Sequence, residues 1–134
     1  MKSFVFGYLI CVAALALSLQ QDKELTESIQ RGSAIYSDFC VTCHMEKGEG
    51  VMYTFPPLAK SDYLANNREA SIRGVKYGQR GEITVNGVVY DNTMMPLGLE
   101  DQEIADVMNF VMNSWGNSQE KPVTTEEVAQ TGRR

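Results

Sequence analysis

The residues best equipped for chemistry lie in the stretch SDFCVTCHMEKGEG, positions 37–50, which holds Cys40, Cys43 and His44. His44 is the only histidine in the 134-residue chain, and Cys11 is the one other cysteine. Four chemistries use such a cluster. A closed structural zinc site needs about four Cys or His ligands, and the body of the chain supplies no fourth. A dithiol–disulfide redox site wants the cysteine pair after a strand in a βαβ setting; here the pair ends a helical pattern. A structural disulfide leaves the adjacent histidine without a role. Cys-x-x-Cys-His, by contrast, is the attachment pattern for c-type haem: the thiols form thioethers and the histidine gives an axial nitrogen to iron. The spacing predicts one covalently bound haem c, with Cys40 and Cys43 as its thioether links and His44 as its proximal ligand.

The opposite axial position cannot take a second histidine, because none exists. Methionine is the next common partner. Met45 adjoins the proximal ligand and should not reach the far side. Met52 lies in the loop soon after the attachment site. Met108 and Met112 stand at i, i+4 on a helical stripe and read as core filler. Met94 and Met95 remain, in a loop stiffened by Pro96, which holds the residue before it extended.

Other elements must bring these loops together. The first twenty residues carry one early lysine and then an uncharged apolar run, Phe4 to Leu19. That run is shorter than the roughly 20 residues a bilayer span needs and reads as a secretory signal peptide over 1–20, its cleavage site open among small residues. An uncleaved anchor is the alternative. Cys11 follows Ile10 rather than a small residue, so it does not read as a lipid-attachment site. A domain is expected over 21–118, followed by a polar C-terminal tail over 119–134. Helical spacing of Ile29, Gly32, Tyr36, Phe39 and Cys43 predicts a first helix, capped near Thr26. Ser61 can cap a short helical turn. REASIRGVKYG reads as a helix ending at Gly78. Asn86-Gly87 between β-branched runs predicts a small hairpin with strands near 82–85 and 88–91. The last strong helix runs from Glu100 towards Trp115, with acidic residues in its opening turns and Gly116 as its stop. Another turn of helix can follow Thr125.

These parts resemble a class I monohaem cytochrome c of the bacterial periplasmic type. GSAIYSDFCVTCH, FPPLA, MMPLG and IADVMNFVMNSWGN carry the resemblance, over about residues 26–116. It implies an all-α cytochrome c fold of three to four helices around the haem, to which the hairpin near 82–91 is an addition. It implies Met95, the methionine next to the proline, as distal ligand, with Met94 as the alternative. It implies that the carbonyl of Pro56 (Pro57 less so) accepts the His44 ring N–H, and that Gly32 meets Phe110 where the first and last helices cross. Glu100 stands where related sequences often have a serine cap.

A formal net charge of −5 gives no basic excess to neutralise phosphates, which argues against nucleic acid as a partner. Arg68, Arg73, Lys76 and Arg80 gather in and after one helix, as a solvated face or as a docking patch for an acidic protein. No second histidine offers a catalytic base. The expected function is periplasmic electron transfer between redox proteins by a non-enzymatic carrier with His/Met ligation. The alternatives are a haem c module serving a periplasmic nitrite reductase or dehydrogenase, or a haem sensor whose methionine detaches. Membrane attachment would follow only from an uncleaved N-terminus.

Overall fold

The computed structural model describes residues 2–119 and 121–133, with side chains from residue 13 onward. The expected signal segment over 1–20 therefore lies partly outside the described side chains, Cys11 included. Helix α1 runs without a break from Lys2 to Phe39. Thr26 does not cap it. Its hydroxyl donates to the Asp22 carbonyl at 2.8 Å inside the helix, because the glutamine-, lysine- and glutamate-rich approach favours helix. Among the described residues no helix is long and apolar enough to cross a membrane.

The first helix crosses α5, Asp101–Met112, and Gly32 marks the crossing. A methyl group there would collide with the Asp106 carbonyl and lie 2.9 Å from Cβ of Phe110. The glycine that costs helix propensity thus lets two backbones touch, as the resemblance implied. A buried polar network fastens the crossing. Asp106 accepts from Ser28 at 2.6 Å and from Arg31 at 2.7 and 2.8 Å. Asn109 donates to Ser28 and to the Val123 carbonyl, both at 2.9 Å. Glu100 proves an adequate start for α5, because the Glu103 carboxylate accepts the Glu100 N–H at 2.8 Å.

Between them lie α2, Val41–His44; α3, Asp62–Asn66; and α4, Arg68–Tyr77. Ser61 caps α3 by accepting the Leu64 N–H at 3.3 Å. Strands β1, Ile83–Val85, and β2, Val88–Tyr90, pair antiparallel, Ile83 opposite Tyr90. The hairpin tip is pinned to α3: the Asp62 and Asn86 side chains accept each other's backbone N–H at 2.7 and 3.0 Å. The fold is the mostly helical cytochrome c fold with one small hairpin. It has six helices among the described residues, more than the three to four expected, because α2 and α3 are single turns and the C-terminal segment adds its own.

That segment is polar in composition but docks firmly. Helix α6, Thr125–Gln130, is capped by Thr124, and Val123 and Val128 are buried against the core that includes Ile72, Ile104 and Met112. The basic cluster turns towards it rather than to solvent. Arg68 donates to the Glu127 carboxylate at 2.6 and 2.8 Å and to the Lys121 and Pro122 carbonyls, each at 3.0 Å. Lys76 donates to the Val128 carbonyl at 2.7 Å and pairs with Asp101. Arg73 reaches the Gly132 carbonyl at 3.1 Å and pairs with Glu69. Only Arg80 of the four stays exposed. Neither reading of the cluster anticipated this, because the acceptors lie some fifty residues away, as the Arg68–Glu127 separation of 59 shows.

Candidate functional site

Helix α2 explains why the sequence places two cysteines and a histidine as it does. The N–H groups of Cys43 and His44 both bond to the Cys40 carbonyl, at 3.2 and 2.9 Å. In such a turn, residues three and four apart share a face. Cys40, Cys43 and His44 therefore all line one cleft of about 360 Å³.

Past His44 the chain reverses and returns with Pro56. The Gly50 N–H bonds to the His44 carbonyl at 3.0 Å. At Gly50, with φ +62°, a Cβ would lie 2.8 Å from the Pro56 oxygen, so a glycine is needed for the return. Tyr36 steadies the start of the loop by donating to the Met45 carbonyl at 2.6 Å, and its ring packs 4.9 Å from that of Trp115. The Pro56 carbonyl reaches His44 Nδ1 at 3.0 Å. A carbonyl only accepts, so Nδ1 carries the hydrogen and Nε2 keeps its lone pair. Burial holds the imidazole below its ordinary pKa, with the Pro56 carbonyl opposing. The ring is thus neutral near pH 7 and able to bind a metal. Burial, helped by Cys43, pushes the Cys40 thiol up to about 11.

The same cleft is lined by Met94 and Met95. Met94 exchanges both backbone hydrogen bonds with Gln79, each at 2.9 Å, which fixes the loop to the end of α4. Met94 is half-buried and Met95 is 57 % exposed. Of the other methionines, Met52 is 67 % exposed, while Met108 and Met112 are core residues, Met108 also touching the cleft. The site thus brings together Cys40, Cys43, His44, Pro56, Met94 and Met95. Apolar side chains from α5 and the hairpin, among them Val107, Val111, Val85 and Tyr90, also line it. Two thiols, an imidazole and two thioethers in one cleft with an apolar lining fit a flat, largely apolar ring with iron at its centre. The hairpin's part was not foreseen. Its signal was present in the alternation that points Val85 and Tyr90 inward.

Comparison with known proteins agrees with this chemistry. The family description "Cytochrome c" matches residues 29–115. The chain belongs to the cytochrome c family. It resembles cytochrome c-552 of Thermus thermophilus, 39 % identical over 106 residues that span 72 % of this chain and 80 % of that protein. It also resembles the cytochrome c subunit of a quinone-type alcohol dehydrogenase from Gluconobacter oxydans (strain 621H), 29 % identical, spanning 72 % of this chain but 21 % of that subunit. The gluconate 2-dehydrogenase cytochrome c subunit of Pantoea cypripedii is 34 % identical, with 75 % of this chain and 23 % of the subunit covered. As a cytochrome c the protein carries one covalently attached haem c at CVTCH. It is an electron-transfer protein that works with redox partners and is not itself a catalyst.

Proposed function

We propose that this cytochrome c is an exported electron carrier in the periplasm whose haem iron sits between His44 and Met95. When bound, the haem supplies a one-electron iron couple. Everything else falls to the chain. Cys40 and Cys43 tether the ring, Pro56 orients His44, and the methionine loop supplies a soft thioether on the other side, which favours reduced iron relative to a second histidine. Held by both His44 and a methionine, the haem would offer no place for substrate and would pass electrons only. The observation that carries the reading is the 3.0 Å contact between His44 Nδ1 and the Pro56 carbonyl, in a cleft that Met94 and Met95 also line. Export rests on the apolar run at the N-terminus.

Met95 is favoured by its place before Pro96. Met94 has its own support in its paired backbone and its lower exposure. The absorption band of the methionine–iron bond in the oxidised protein decides: Met95→Ala should lose it and Met94→Ala keep it, and the reverse result moves the assignment. A second reading, a haem module serving a dehydrogenase, draws on the likeness to dehydrogenase cytochrome subunits. The match over most of cytochrome c-552, against about a fifth of each subunit, favours the carrier. Stable co-purification with a larger oxidoreductase would favour the module.

A further inference from the structure

Two loops must stay in register for a haem to be held from both sides. One is the proximal loop, Met45 to Leu58, which delivers the Pro56 carbonyl to His44. The other is the distal loop, Asp91 to Pro96, which carries the methionines. Each is well anchored to its own neighbourhood. The proximal loop closes on itself through a bridge between Val51 and Phe55 and through the Gly48 carbonyl, which accepts from Leu58 at 2.7 Å. The distal loop is held to Gln79.

One side-chain hydrogen bond joins the two loops directly. Asn92 Nδ2 donates to the Thr54 carbonyl at 3.0 Å, across 38 residues of sequence. Thr54 lies two positions before Pro56, and Asn92 two before Met94. Both residues line the haem cleft. Asn92 is otherwise exposed, so packing does not explain its place. We propose that Asn92 is a positioning residue: it ties the distal methionine loop to the proximal histidine loop at the mouth of the cleft and holds the methionine on the iron. The proposal rests on the His44–methionine reading above. It concerns the equilibrium between a closed loop and one swung open, which the tie biases towards the closed state.

The test uses reduced holoprotein and carbon monoxide, which binds only where the distal ligand has left. Asn92→Ala removes the donor. Asn92→Asp keeps the size but can only accept, so it cannot bond to a carbonyl. Loss of one such hydrogen bond shifts the opening equilibrium by about 2- to 10-fold, and the slow uptake of carbon monoxide should quicken by that factor in both variants. Asn113→Ala is the control. It loses a bond of the same kind, Nδ2 to the Asn109 carbonyl at 2.8 Å, away from the cleft, and should leave the uptake rate unchanged. Parent-like uptake in both Asn92 variants would overturn the proposal. So would an effect in Ala that Asp restores, since size and not the bond would then matter, or an equal effect in Asn113→Ala. Immediate uptake by the unsubstituted protein would instead overturn the methionine reading itself, and the proposal with it.

Discussion

At the scale of single residues, the chemistry depends on a histidine whose protonation is settled by geometry. The Pro56 carbonyl fixes the tautomer, so His44 keeps its Nε2 lone pair without an acidic partner. Asp106 presents the opposite case, a carboxylate 2 % exposed in the core. Burial alone would raise its pKa, but hydrogen bonds from Arg31, Ser28 and Gln102 outweigh that and hold it below the ordinary carboxylate range. A depressed carboxylate contributes stability that is fully present above its unfolded pKa of about 4 and is lost as pH falls through the lower folded value. Asp106→Asn should therefore cost about 1–3 kcal/mol at pH 7. Its penalty should shrink in denaturant titrations carried out at successively lower pH, through the acid range. A penalty independent of pH would show that the charge is not what holds α1 to α5.

At the scale of elements, the hairpin and the C-terminal segment both have work that the sequence only half disclosed. The alternation of β1 and β2 and the Asn86-Gly87 turn were legible, and so were α3, α4, α5 and the start of α6. What those pieces lean on was not. The alternation marks Val85 and Tyr90 as inward-facing but not as lining the cleft, since their partner surface is assembled from distant parts of the chain. Tyr90→Ala should open that wall to water, and a potentiometric titration of the holoprotein should show a lower reduction potential, because water favours the more highly charged oxidised iron. Arg68 is hidden in the same way, its acceptors lying far along the chain. Arg68→Ala strands Glu127 and two carbonyls, and should lower stability by about 1–3 kcal/mol, read in thermal or denaturant unfolding. The arrangement of Cys40, Cys43 and His44 was legible, because CVTCH encodes its geometry within one turn of helix. The choice between Met94 and Met95 was not, because two adjacent candidates differ only in tertiary setting. The uninterrupted α1 was missed since the Thr26 hydroxyl reads equally well as a cap or as an internal bond to Asp22.

At the scale of the molecule, the two long helices, α1 and α5, form a frame, and the haem loops hang from it on one side. The chain is acidic overall, with a net charge of −5. Three of the four cations of the basic cluster, Arg68, Arg73 and Lys76, are engaged with the C-terminal segment. Their engagement leaves a partner less free positive charge to meet around α4. The central claim is that a scaffold this small closes both axial positions of its iron with His44 and a methionine, which makes it a carrier of electrons and nothing else. Carbon monoxide added to the reduced native holoprotein tests this most directly. The account predicts an absorption spectrum that stays unchanged on mixing, with only slow uptake. Immediate conversion to a carbonyl spectrum would contradict it, since an iron open on its distal side belongs to a ligand-binding protein.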